Sequence, residues 1–159
     1  MNQNNVVAVR FNLKRGGSET IDNLEYLSNK LYDKYGWHTE LYVDSKDLKG
    51  IKNVLKNIKS FSIDHLGLSK SGLKDLYSWV EKGVRVKATG FGRLDFEPIQ
   101  AMKKINQINP EALMFGTDLP STRAKIPFSK NDLELVIMNF DEKAQERILY
   151  TNALKWYKK

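Results

Sequence analysis

The residues with most chemical potential lie in short blocks, each just after an apolar run. Asp118 stands between Gly116 and Pro120, on a turn that those two residues constrain. A carboxylate there could ligate a metal, act as general base toward a water, or cap the loop that follows. His65, in Asp64-His65-Leu66-Gly67, could ligate a metal, polarise a carbonyl or be structural. Arg10 and Arg93 could grip a substrate carboxylate through paired N–H donors, or form ion pairs. Tyr42 could hydrogen-bond a substrate or pack inside the fold. Lys87 reads better as an internal ion-pair partner than as a base, and His38, at the start of its run, as structural.

Elements must bring these blocks together, and the chain alternates strand and helix signals. The strands are predicted over Val6–Leu13 (ending at Gly16-Gly17), Trp37–Asp44, Ser60–His65, Val84–Thr89 and Ala112–Asp118. Helices are predicted over Glu19–Tyr35, Ser45–Ser60, Leu73–Lys82 and Glu97–Asn106, with Asn131–Asn139 and Asp141–Tyr157 closing the chain. Such alternation implies an α/β fold with a parallel sheet. No linker or low-complexity tract divides residues 1–159, so one domain is expected.

The strands carry a second signal. His38, Glu40, Tyr42 and Asp44 share one face of their strand, opposite Thr39, Leu41 and Val43. Arg85, Lys87 and Thr89 likewise oppose Val84, Val86 and Ala88, and Arg10 and Asn12 oppose Val7, Val9 and Phe11. A doubly wound sheet is apolar on both faces. A polar face inside and an apolar face under helices is the pattern of a barrel wall. In such barrels the chemistry sits at the C-terminal strand ends, where Arg10, Tyr42, His65, Lys87 and Asp118 fall.

Composition narrows the function classes. The chain has 159 residues, 41% hydrophobic and 28% charged, too apolar for a disordered tail. Cysteine is absent, which excludes disulfides, thiolate metal sites and cysteine nucleophiles. No apolar run is long enough for a transmembrane helix, and the uncharged start Met1–Asn5 is no secretory signal, so the cytoplasm is expected. The net charge of +7 raises nucleic acid as a partner. However, Lys46, Lys49, Lys52, Lys56 and Lys59 alternate with Leu48, Ile51, Val54, Leu55 and Ile58, which reads as a solvated helix face. No nucleic-acid and no membrane partner is expected.

The blocks Arg10-Phe11-Asn12-Leu13, Gly36-Trp37-His38 leading to Tyr42-Val43-Asp44, Asp64-His65-Leu66-Gly67, Lys87-Ala88-Thr89-Gly90 and Gly116-Thr117-Asp118-Leu119-Pro120 occur in a familiar order. With the closing Asn152-Ala153-Leu154-Lys155-Trp156-Tyr157, they resemble the amidohydrolase-related family, in particular its branch of 2-pyrone-4,6-dicarboxylate hydrolase-like enzymes. The resemblance implies a partial (β/α)8 TIM barrel of five β-α units, corresponding to strands four to eight. It implies a hydrolase acting by water attack on a carbonyl of a small carboxylate-bearing lactone, ester or amide. Asp118 would activate water, His65 would polarise the carbonyl, and Arg10, Tyr42 and Arg93 would hold substrate. Many relatives use a divalent metal such as zinc, which Asp118 and His65 would then ligate; the pyrone branch is thought to use none.

The sequence departs from the family in lacking the strand-one His-x-His. A whole barrel needs about 250 residues, so the domain is expected to be truncated at its N-terminus. The alternative reading is a catalytically inactive remnant or interaction module. Open strand edges would favour a homo-oligomer or a separate N-terminal fragment. The inner face, with Arg10, Glu40, Tyr42 and Lys87, would lie open to water.

Overall fold

Strand order decides which face the helices cover. In the computed structural model, which describes residues 5–16 and 20–158, five strands form one parallel sheet. They are β1 (Ala8–Asn12), β2 (His38–Tyr42), β3 (Phe61–Ile63), β4 (Arg85–Ala88) and β5 (Leu113–Phe115), in the order β1-β2-β3-β4-β5. Right-handed crossovers that always step the same way put every connection on one face. A doubly wound sheet reverses direction partway; this one does not. The sheet is therefore α/β and consistent with part of a (β/α)8 wall. The expected turn residue Gly17, the helix start Glu19 and the first four residues of the polar N-terminus lie outside the described residues.

The two faces follow the period-two pattern. Phe11, Leu41, Ile63, Val86, Ala88 and Leu113 are buried on the helix side. There they meet Leu24 of α1 (Ile21–Tyr35), Leu55 of α2 (Lys52–Leu55) and Leu76 and Trp79 of α3 (Leu73–Val80). Met102 and Ile105 of α4 (Pro98–Ile108) and Val136 of α5 (Lys130–Asn139) complete that side. The helix ends obey local chemistry. Gly36 takes a left-handed φ of 71° after α1 and donates to the Tyr32 carbonyl at 2.7 Å. Ser129 and Asp132 form a capping box at the start of α5.

The predicted lysine helix is not continuous. Ser45–Asp47 forms a single 3-10 turn, and only Lys52–Leu55 is α-helical. Gly50 weakens the helix between them. Tertiary contacts also fix the two ends separately. Ser45 donates to the Ser69 carbonyl at 2.8 Å, and Gly72 passes so close that a Cβ would stand 2.1 Å from the Ser45 carbonyl carbon. At the other end Asn57 bonds Glu25 at 3.0 Å. Leu48, Leu55 and Ile58 are still buried, so the amphipathic pattern survives without the helix.

The closing helix is also interrupted, with a π turn at Arg147–Thr151 between α6 (Glu142–Glu146) and α7 (Asn152–Tyr157). Asn152 is buried there and donates to the carbonyls of Pro110 and Leu113, at 2.9 and 2.8 Å. This anchor directs the last residues of α7 toward the polar face of the sheet. Trp156 packs against His38 with ring centroids 4.4 Å apart and the planes tilted by 46°, and Tyr157 donates to Glu40 at 2.7 Å.

The polar face is consequently not open to water as expected. Tyr42 is buried, and the side chains of Glu40 and Lys87 are only 15% and 16% exposed. Arg10 alone among the four stays half-exposed, at 50%. The aromatic end of α7 covers one rim, and the charged side chains cover one another. Among the described residues no helix is long and apolar enough to cross a membrane.

Candidate active site

The five expected site residues converge. Arg10 and Tyr42 come from β1 and β2, His65 from the turn after β3, Arg93 from the loop after β4 and Asp118 from the loop after β5. All five line one cavity of about 290 Å³. A second hollow of about 250 Å³ adjoins it, lined by Arg10, Glu40, Asp64, His65, Lys87, Thr89 and Asp118. Arg10, His65 and Asp118 thus face both spaces.

Local backbone sets the two central groups. His65 and Asp118 have positive φ angles of 51° and 58°. Non-glycine residues in that region cost about 1 kcal/mol or more and concentrate at functional sites. Asp118 is held from behind, because its own carbonyl accepts the Ser121 N–H at 2.6 Å. Gly90, also at positive φ, lets the backbone pass His65; a Cβ there would lie 3.0 Å from His65 Nδ1.

The side chains then pair in a fixed pattern. Arg93 Nε donates to Asp118 Oδ2 at 2.7 Å, and its terminal NH₂ bonds the Thr122 carbonyl at 3.0 Å. Asp118 Oδ1 faces His65 Nε2 at 3.9 Å, beyond direct hydrogen bonding but with room for a bridging atom. His65 Nδ1 lies 2.8 Å from the Thr89 hydroxyl, which fixes the ring. The Tyr42 ring meets the His65 ring edge-on, at 5.1 Å and 90°, and Arg10 Cζ lies 5.2 Å over Tyr42. Burial, reinforced by Arg93 and Arg10, holds the His65 imidazole below its ordinary 6.5 despite Asp64 and Asp118. His65 is therefore neutral at pH 7.

Residues that the sequence did not single out complete the arrangement. Asp64 takes Arg10 Nε and Nη2 on one oxygen, at 2.8 and 2.7 Å. Its adjacency to His65 was the available signal, since the same turn presents both. Thr89 shares a strand face with Lys87, so alternation places it at the rim. Lys87 is the ion-pair partner expected, 2.7 Å from Glu40. Burial alone would lower the Lys87 pKa, but Asp64 and Glu40 raise it, so it stays a cation. Arg15 and Arg123 also line the mouth; they come from loops, where periodicity carries no information.

A divalent ion would find few donors. His65 Nε2 and Asp118 Oδ1 are the pair that could meet one ion, and among the described residues no group of three His, Cys, Asp or Glu side chains converges. A zinc centre takes three or four protein ligands. Asp118 is moreover already bonded to a guanidinium. The described residues do not fit a resident metal.

The arrangement offers a carboxylate and a neutral imidazole at one place, ringed by guanidinium groups. No curated protein matches the chain. The profile of the amidohydrolase family matches residues 1–159. A parallel α/β sheet with its His and Asp at the strand ends, matched along its whole length by that profile, places this chain in the amidohydrolase family of hydrolases.

Proposed function

We propose that the chain hydrolyses a small carboxylate-bearing lactone, ester or amide by attack of water on the carbonyl. Its strands are read as four to eight of a (β/α)8 barrel, from the order of the motifs. A volume of about 290 Å³ suits a substrate of few heavy atoms.

Asp118 accepts a proton from water as the oxygen adds to the carbonyl carbon. Its orientation toward Arg93 leaves Oδ1 on the His65 side. His65, with Nδ1 on Thr89, offers Nε2 to the carbonyl oxygen and stabilises the developing charge. The tetrahedral centre then collapses, the C–O or C–N bond breaks, and the proton on Asp118 passes to the leaving group. Arg10 holds the substrate carboxylate, and Tyr42 closes the wall beneath it.

The observation that carries this reading is the convergence of Arg10, Tyr42, His65, Arg93 and Asp118 on one cavity. The test compares mono-para-nitrophenyl glutarate with neutral para-nitrophenyl valerate. Preferential hydrolysis of the glutarate ester, lost in Asp118→Asn, supports it. No turnover of either ester above the Asp118→Asn background would favour the inactive alternative.

A further inference from the structure

Beyond Arg10, a set of charges takes no part in that chemistry. Lys87 Nζ sits 2.7 Å from Glu40 Oε1 and 3.3 Å from Asp64 Oδ1. Glu40 is in turn fixed by the Tyr157 hydroxyl at 2.7 Å. Asp64, 4% exposed, carries Arg10 on Oδ2, while its Oδ1 receives no hydrogen bond. The Lys87 ammonium is the cation facing that oxygen. The row runs Tyr157, Glu40, Lys87, Asp64, Arg10, from the buried face to the half-exposed guanidinium at the cavity. Lys87 itself lines the second hollow and not the first cavity.

We propose that Lys87 is a positioning residue for Arg10, acting through Asp64. The inference rests on the reading of Arg10 as ligand of the substrate carboxylate. A half-exposed arginine samples many rotamers unless something holds it. Asp64 holds two of its N–H groups on one oxygen, which works only while the carboxylate stays turned inward. Without the ammonium, Asp64 would be buried beside the Glu40 carboxylate with one oxygen uncompensated. It would then rotate toward water, and that change releases Arg10.

The experiment compares Lys87→Met and Lys87→Arg in the full chain by two readouts. The first is hydrogen exchange of the Arg10 Nε–H followed by NMR. It should speed up about tenfold in K87M and return toward the parent rate in K87R. The second is ester kinetics. KM for mono-para-nitrophenyl glutarate should rise about tenfold in K87M, with kcat and the valerate KM changed by less than about twofold. Unchanged Arg10 exchange in K87M overturns the proposal. So does an equal loss on both esters, which marks a merely structural role. Faster exchange with unchanged glutarate KM upholds the positioning and instead sinks the role of Arg10 in binding. Should K87M not fold, Lys87→Gln is read by the same two measurements.

Discussion

The Asp118 carboxylate divides its oxygens between two neighbours: Oδ2 takes Arg93 Nε at 2.7 Å, and Oδ1 faces His65 Nε2 at 3.9 Å. The three residues come from three different strand ends, so their meeting depends on sheet register. One oxygen is committed to orientation and the other is left for a reacting atom. That division lets the loop after β5 present a base at a fixed angle.

Replacing Asp118 with Asn separates chemistry from fold. Asn tolerates the left-handed φ of 58° and keeps the side-chain shape. Ester hydrolysis should fall by about 10²–10⁴, while the thermal midpoint shifts little. A midpoint lowered as much as the rate would mean Asp118 is structural.

The His65 imidazole should titrate below 6.5 by NMR, because burial disfavours its cation. Arg93→Met removes a nearby positive charge and should move that midpoint upward. The sign for stability follows from linkage. A base depressed in the folded state contributes stability above pH 6.5, and that contribution is lost as pH falls below it. A midpoint at or above 6.5 in the parent chain would contradict the burial described here.

Glu40 should govern part of the acid limb of unfolding. Burial opposes its ionisation, but His38, Lys87 and Tyr157 outweigh that and hold it at about 2, down from 4.5. Its stabilisation is complete above about pH 4.5 and disappears as pH falls toward about 2. Glu40→Gln should flatten this window in pH-dependent denaturant melts. An unchanged slope would show that the pairing contributes nothing net.

Gly90→Ala tests the close approach beside His65. The new Cβ would sit at positive φ, 3.0 Å from His65 Nδ1 and from Arg93 Cδ. We expect about 1–3 kcal/mol of destabilisation and a rate loss of about tenfold or more from the displaced ring. A variant with parent activity would show that the ring adjusts freely.

The alternation around Leu41, Val86 and Lys87 made the strands and their two faces legible, because a period of two needs no tertiary information. The strand ends were legible for the same reason, and they delivered the cavity residues. The helix over Ser45–Ser60 was misread because Ser45 and Asn57 answer to distant partners. The cover over the polar face was also invisible. Tyr157 and Glu40 lie 117 positions apart, and no local pattern links them. Asp64 escaped notice because its role is set by the stagger of the sheet, which brings it to Arg10 across β2.

The unbroken order of the strands also bears on how the molecule is built. Each new strand pairs with the one made just before it, so every added unit finds its docking edge already present. Loop closures stay short, which favours rapid stepwise growth, including growth during synthesis. The exception is the tail. Tyr157 reaches back 117 positions to Glu40, so this contact waits for α7 although β2 is already paired on both sides. Strand pairing is thus local, while the contact between Glu40 and Tyr157 spans most of the described residues.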